Sequence, residues 1–287
     1  MHAPHRLDSR CARRSALACL LGAVLASACN PPSRDASSLT SAGVRHLQMG
    51  EYDRAIRDFD RALALKPGLV VAWKHRGIAH RGKGDYERAV ADYDHAITFA
   101  PNDARLLTDR GTTYLLLDDY RRAIQDFDRA IALKPDLAPA LEHRGRAHFY
   151  LGNFAQAAAD LQRGLSFDST DAYAVIWLHL IRRRLKQNDA ADFAAHAAPI
   201  DTAQWPAPIM RYFLGQLSAD SLQKVVSVTD ADGQAQGCVV AFYLGEDALL
   251  RGRPDSAAML LTATRDGCPK GLSEHKAAVA ELRRLAR

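Results

Sequence analysis

The residues of this chain whose types and spacing could do chemistry are five cysteines, eleven histidines and one glycine run that ends in lysine. The run Gly77-Ile78-Ala79-His80-Arg81-Gly82-Lys83 matches the G-x4-G-K of a phosphate-binding loop, in which backbone N–H groups cradle phosphate and a following Ser or Thr ligates Mg2+. Gly84 follows instead, and no strand-like run precedes Gly77, so both requirements fail. His75/His80 and His143/His148 are each five residues apart. On a helix that spacing turns the two rings to different faces, whereas metal ligation needs neighbours at i, i+3 or i, i+4. There is no H-E-x-x-H, no G-x-S-x-G and no Cys–His arrangement suited to nucleophilic catalysis. The carboxylates form no distinctive acid/base pair. No catalytic residue, metal site or cofactor is expected.

That leaves the cysteines. A basic stretch ending in Arg13-Arg14 precedes an apolar run from Ala16 to Ala28, interrupted only by Gly22 and Ser27. This is the length and polarity of a signal peptide, and too short to span a bilayer. Residues 1–28 carry a net +3, and without them the formal charge falls from +5 to +2. The pI near 9.0 is therefore largely a property of the leader, and a charge of +2 leaves no electrostatic footprint for nucleic acid. Two ends to the signal are open. Ala26-Ser27-Ala28 is an A-x-A site for ordinary signal peptidase. Leu25-Ala26-Ser27-Ala28-Cys29 resembles a bacterial lipobox, in which the Cys29 thiol is acylated and becomes the new N-terminus. In lipoprotein sorting, Asn30 rather than aspartate after that cysteine points to the outer membrane. Cys11 and Cys19 leave with the signal and Cys29 takes lipid, so an even pair, Cys238 and Cys268, remains in a compartment that permits disulfides.

The elements that carry these residues follow from a period. Glycine recurs at Gly43, Gly77, Gly111 and Gly145, always 34 residues apart. Twelve residues after each stand Ala55, Ala89, Ala123 and Ala157, and four further on Phe59, Tyr93, Phe127 and Leu161. Then come Ala62, Ala96, Ala130 and Gly164, and finally Pro67, Pro101, Pro135 and Ser169. Small residues let two helices approach closely, the aromatic fills the groove between them, and proline ends each block because it cannot continue a helix. The pattern resembles the tetratricopeptide repeat (TPR) and implies an all-α solenoid of antiparallel hairpins. Its blocks are 36–69, 70–103, 104–137 and 138–171. Inside each block the turn is Gly50-Glu51-Tyr52, Gly84-Asp85-Tyr86, Asp118-Asp119-Tyr120 or Gly152-Asn153-Phe154. Residues 172–237 read as degenerate hairpins, with helix Ala172–Arg184, a turn at Gln187-Asn188-Asp189, and helix caps at Asp201 and Ser218. A last block, 238–271, returns with Gly245, Ala257, Leu261 and Pro269 in phase, and 272–287 is an amphipathic capping helix. Cys238 and Cys268 are the first and thirty-first positions of that block. A hairpin brings them together, and a disulfide closing a loop of about 30 residues stabilises by roughly 3–4 kcal/mol; two separate buried thiols are the alternative.

Arg76, Arg110 and Arg144 precede the repeat glycines, and Asp58, Asp92, Asp126 and Asp160 lie on the facing helices. Ion pairing within the scaffold explains that register better than a ligand-binding ladder does. In TPR proteins positions 2, 5, 9, 12 and 13 of a block line the concave face. On this chain they include Lys74, Ile78 and Arg81, then Arg105, Thr108, Thr112 and Leu115, then Glu142, Arg146, Phe149 and Tyr150. Basic side chains beside aromatics suit an extended peptide with an acidic or free C-terminal end. The Lys/Asn/Arg set of carboxylate-gripping TPR adaptors is absent, with Thr40 and Val44 at its first-block positions.

Cys29 after a signal, the successive blocks, Trp205, Tyr212-Phe213-Leu214-Gly215, Phe242-Tyr243-Leu244-Gly245 and the ending with Glu274-His275 and Glu281-Leu282 together resemble the NlpI-type TPR lipoproteins of Gram-negative envelopes. That resemblance implies a periplasm-facing outer-membrane adaptor, often dimeric, that presents cell-wall hydrolases to a PDZ-containing processing protease or gathers murein enzymes. The other reading of the residues is a soluble periplasmic TPR protein with chaperone-like peptide binding.

Overall fold

Proline and glycine punctuation sets the helices. The computed structural model describes residues 35–200, 204–226 and 231–287; the signal segment 1–28, Cys29 and the cap expected at Asp201 lie outside them. Eight helices form four successive hairpins: α1 (Ala36–Gln48), α2 (Tyr52–Leu65), α3 (Val70–Lys83), α4 (Tyr86–Phe99), α5 (Ala104–Leu116), α6 (Tyr120–Leu133), α7 (Ala138–Leu151) and α8 (Phe154–Leu165). The chain then runs through α9 (Ala172–Arg184), α10 (Ala190–Ala197), α11 (Ala207–Phe213), α12 (Ala219–Val225), α13 (Ala231–Leu250), α14 (Pro254–Gly267) and α15 (Ser273–Leu285). No strand occurs among the described residues. The protein is an all-α TPR solenoid.

Helix starts are capped where the sequence supplies carboxylates or hydroxyls. The Asp103 side chain accepts from the backbone N–H groups of Arg105 and Leu106, Asp171 from those of Tyr173 and Ala174, and Ser218 from that of Ser221. Gly84 and Gly152 close α3 and α7 in the left-handed region, both at φ 84°. The repeat glycines serve a different end. A Cβ on Gly111 would come within 2.7 Å of the Phe127 ring, and one on Gly77 within 3.0 Å of Tyr93. The aromatic of each second helix therefore lies directly on the glycine of the first, and Phe59, Tyr93 and Phe127 are wholly buried.

Beyond α8 the packing changes. Trp177, at the centre of α9, meets Phe149 edge-to-face at 4.8 Å and Phe242 of α13 at 5.5 Å. Helix α13 begins seven residues before the block predicted at 238, so it is longer than a repeat helix. Cys238 on it and Cys268 after α14 stand with Cα atoms 5.3 Å apart and sulfurs at bonding distance.

The C-terminal helix does more than close the end. It packs on α14 and also folds back across α7, where three fixed contacts hold it. Lys276 donates to the Leu116 carbonyl at 3.2 Å and to Asp118 at 2.5 Å. The Tyr150 hydroxyl donates to the Ser273 carbonyl at 3.3 Å. Arg284 donates to the carbonyls of Phe149 and Tyr150, each at 3.3 Å. Lys276 and Arg284 thus sit at the C-terminal ends of α5 and α7, where unpaired carbonyls and the helix dipole favour cations.

Candidate partner-binding groove

The first helices of the repeats, α1, α3, α5 and α7, carry the residues expected to line the concave face, and α15 divides them into two groups. Phe149 is fully buried and Tyr150 nearly so. Phe149 packs against Trp177 and Phe154, and Tyr150 is spent on Ser273. Neither is free to meet a partner, which corrects the expectation for these two: the chain's own last helix covers them. Glu274 at the start of α15 accepts from the Tyr243 hydroxyl at 3.2 Å and supplies a buried carboxylate near Arg146.

The remaining lining residues gather over repeats 2 to 4. Lys74 and Arg81 both approach one carboxylate, Asp109, at 3.7 and 3.8 Å. Burial raises the Asp109 carboxyl above the usual carboxylate range, while the two cations oppose the shift. Arg146 pairs with Glu142 on its own helix, and its Nε has no partner. His143, one residue beyond Glu142, lies close to Arg146 and Arg81. Burial, with Arg146 and Arg81 nearby, pushes its pKa down to about 3, and its Nδ1 is unpartnered. The Tyr93 hydroxyl, buried close to Arg81 and Asp109, also lacks a partner. Arg105 is exposed and Ile78 is half-buried. Thr108 and Thr112 are turned inward on their own helix: their hydroxyls donate to the carbonyls of Ala104 and Thr108, both at 2.8 Å. Their methyl groups are what they offer a partner. The floor thus sets Lys74, Arg81, Arg105 and Arg146 against the carboxylates of Asp109 and Glu142, with the unpartnered Tyr93 hydroxyl and His143 Nδ1 close to the same charges.

The arginine–aspartate register lies within the scaffold, as expected, with one addition. Arg110 donates to Asp126 of its own hairpin and bridges to Asp94 of the preceding one at 2.5 Å, and Arg76 and Arg144 do the same with Asp92/Asp60 and Asp160/Asp128. The second aspartate, two residues after the first in each repeat, is legible in the sequence as Asp60, Asp94 and Asp128. Asp58 has no such arginine and pairs with His46 at 3.0 Å.

The histidines stay apart. His75 bonds the Val71 carbonyl, His80 faces Asp85 and Asp92, and His148 meets Asn153. No group of three or more potential metal ligands occurs among the described residues. Gly77 of the loop-like run lies within α3 against Tyr93, and Gly84 is a helix cap, so the run is two packing positions and not a phosphate cradle.

Comparison with known proteins agrees with this architecture. Two models described as tetratricopeptide repeat match residues 40–104 and 78–142. The "Lipoprotein NlpI homolog" of Haemophilus influenzae (strain ATCC 51907 / DSM 11121 / KW20 / Rd) is 29% identical over 122 residues, covering 41% of this chain and 39% of that protein. The match thus spans well under half the length of that curated relative. A tetratricopeptide repeat protein from Parabacteroides merdae ATCC 43184 superposes with a TM-score of 0.57 at 16% identity, over 88% of this chain and 99% of that one. YrrB, described as a TPR protein with an unusual peptide-binding site, has a TM-score of 0.51 at 18% identity, over 67% and 97% of the two chains. These structural likenesses show the fold. The chain is a TPR protein that resembles NlpI, with the architecture of a protein–protein interaction scaffold.

Proposed function

We propose that this protein is an exported envelope lipoprotein, anchored through Cys29 and facing the periplasm from the outer membrane, that holds partner proteins in its concave groove. The observation that carries the reading is the cation excess over repeats 2 and 3, where Lys74 and Arg81 share the single carboxylate of Asp109 at 3.7 and 3.8 Å. Two cations against one carboxylate favour an extended peptide that brings an acidic group. Arg105 extends that positive edge, and Ile78, Thr108 and Thr112 offer apolar contact. Glu142 and Arg146 mark where the groove meets α15. The resemblance to NlpI lipoproteins suggests the partners: cell-wall hydrolases and a PDZ-type processing protease, met by a homodimer. No cofactor takes part. Among the described residues no helix is long and apolar enough to cross a membrane, which suits attachment by lipid. Cys238 and Cys268 form a disulfide in this oxidising compartment, to be read by mass spectrometry of unreduced peptides.

The direct test is in vivo cross-linking and co-purification of the tagged protein from solubilised envelopes, with Arg81→Glu and Arg105→Glu alongside. Stoichiometric envelope partners that are lost with the charge reversals support the groove; recovery of nothing above an unrelated lipoprotein control sinks it. A soluble periplasmic chaperone is the second reading, favoured by the Ala26-Ser27-Ala28 site. It requires that no palmitate be incorporated, or that labelling survive Cys29→Ala.

A further inference from the structure

The turns that join the helices of repeats 3 and 4 meet α15 at a backbone anomaly. At this turn position Gly50, Gly84 and Gly152 have φ of 72°, 84° and 84°, but repeat 3 has Asp118 at φ 59°. Left-handed backbone in a non-glycine residue costs about 1 kcal/mol. Asp118 has a use that glycine could not serve, because its carboxylate accepts from Lys276 at 2.5 Å and from the Tyr120 hydroxyl at 3.0 Å. The departure from the repeat lies where the last helix is fastened.

Three adjoining cavities ring this fastening. One lies between Tyr86, Tyr120, Lys270 and His275. A second, of about 370 Å³, is walled by Tyr120, Tyr150 and Leu151 on the repeat side and by Arg283 of α15 and Arg287 just after it on the other. The third runs over Asp119, Arg121 and Leu151. The half-buried Tyr120 ring rests on the buried Tyr150 ring, 5.0 Å away. Arg121, Lys270, Arg283 and Arg287 are exposed. No ion pair holds any of the four among the described residues, whereas each ladder arginine is held by two aspartates. The local carboxylates are already engaged: Asp118 by Lys276, and Asp119 by Arg122 at 2.6 Å. The junction therefore combines an aromatic floor with an excess of uncompensated positive charge.

We propose that this junction is a second interaction surface, separate from the concave groove, which takes an acidic segment of a partner protein. An apolar or aromatic side chain of that segment seats against the half-buried Tyr120 and the exposed Leu151, and its flanking carboxylates meet Arg121, Lys270 and Arg283. The surface is composite. Tyr120 and Leu151 belong to repeats 3 and 4 and most of the cations to the segment around α15, so it is assembled only when the last helix is docked. Charge complementarity of this kind governs encounter and salt sensitivity more than buried area does.

The test uses the full detergent-solubilised chain and a fluorescein-labelled peptide of six glutamates around one central phenylalanine, read by anisotropy. Binding is expected, weakening as salt rises from about 50 to 200 mM. The triple variant Arg121→Glu/Lys270→Glu/Arg283→Glu should weaken it by about tenfold or more, while Arg105→Glu in the groove changes it less than about twofold. Because the three reversed residues are exposed and unpaired, the variant should keep the parent's helical circular dichroism and melting profile. Lys276→Met, which unfastens α15 and leaves those three cations in place, should also weaken binding. An equal affinity for the triple variant, or loss in the Arg105→Glu variant alone, overturns the proposal. So does a phenylalanine-free peptide that binds as tightly, since the tyrosine floor would then recognise nothing. Capture by anionic phospholipid vesicles with no binding to the peptide would make the patch a membrane contact and overturn it too. Loss in Arg105→Glu alone would move the peptide to the groove; the other outcomes leave the groove untouched, since its own test is capture of envelope partners with Arg81→Glu and Arg105→Glu.

Discussion

Repeats 1 to 4 and the region from α9 to α15 are both helical and both bury charge, but they hold it differently. In the repeats each guanidinium lies at the edge of the hairpin, bonded to one aspartate of its own hairpin and one of the neighbouring hairpin, and the motif recurs every 34 residues. In the C-terminal region Arg184 reaches two buried carboxylates at once, Glu246 at 2.7 Å and Glu281 at 3.1 Å, which lie 62 and 97 residues further along the chain. Arg284 pairs with the same Glu281, and both guanidinium groups lie within 5.3 Å of the Phe154 ring centre. The first arrangement adds stability one neighbour at a time, as a solenoid does. The second makes α9, α13 and α15 interdependent. Docking of α15 over the groove therefore rests on a long-range ionic core as well as on its contacts with repeats 3 and 4.

The comparison is broken most severely at Arg184. Arg184→Ala leaves Glu246 and Glu281 buried near each other with only Arg284 to compensate, and removal of one partner from a buried pair costs about 3–5 kcal/mol. A urea titration should show that loss in the transition that includes α15. A cost near zero would mean that the aromatic packing around Trp177 holds the region alone.

The pH response should separate the two regions next. Glu246 is wholly buried, and burial raises its pKa from an ordinary 4.5 to about 7, with Glu281 adding to the shift and Arg184 and Arg284 opposing it. The folded state therefore keeps a proton that the unfolded chain has released between about pH 4.5 and 7. Stability supplied by this site falls as pH rises through that window and is flat above it. Urea midpoints at pH 5, 6, 7 and 8 should decline across the window in the parent, and Glu246→Gln should remove most of the slope. A slope unchanged by that substitution would place the titration elsewhere.

How much of this could be read in the sequence follows the same division. A solenoid asks for the same residues at the same positions in every block, so Gly111 under Phe127 and Arg110 between Asp94 and Asp126 are visible as a period. The pairs that fasten α15 have no period. Lys276 and Asp118 are 158 residues apart, and nothing local in either marks the other. That is why Phe149 and Tyr150 read as groove residues although α15 covers them, and why residues 272–287 read as an end cap. One signal was present: Asp118 replaces the turn glycine of the other three repeats, and a broken local rule marks a site held for another purpose.

The ladder should give a smaller and more regular effect. Arg110→Ala leaves Asp126 buried without its charged donor, at about 1–3 kcal/mol. Arg76→Ala and Arg144→Ala should cost similar amounts, because the geometry is the same in each repeat. The Arg76→Ala/Arg144→Ala double variant, whose sites share no partner, should be additive to within about 0.5 kcal/mol. In the C-terminal core Arg184 and Glu281 pair directly at 3.1 Å, so Arg184→Ala and Glu281→Ala should couple strongly. Strong coupling between Arg76 and Arg144 would show that the repeats act as one unit and remove the contrast.

The smallest effect tests where periodicity fades. Gly164 occupies the position held by Ala62, Ala96 and Ala130 in the other repeats, and it lies buried inside α8. A Cβ there would meet the Leu141 Cβ at 3.7 Å and the Ala138 carbonyl at 3.8 Å, both ordinary contacts. Alanine therefore fits, and removing the conformational freedom of glycine in the last turn of α8 should stabilise the fold by up to about 0.5–1 kcal/mol. Gly145 in the same repeat is the control. Its Cβ would lie 3.1 Å from Leu161 Cγ and 3.3 Å from the Ala157 carbonyl, so the close approach of α7 and α8 should cancel the gain. If Gly164→Ala raises the urea midpoint and Gly145→Ala does not, the fourth repeat has lost alanine at one position without losing the packing that places it there. If both lower the midpoint, the junction of α8 with α9 has already repacked around glycine, and the boundary between the two regions lies one helix earlier than the period implies.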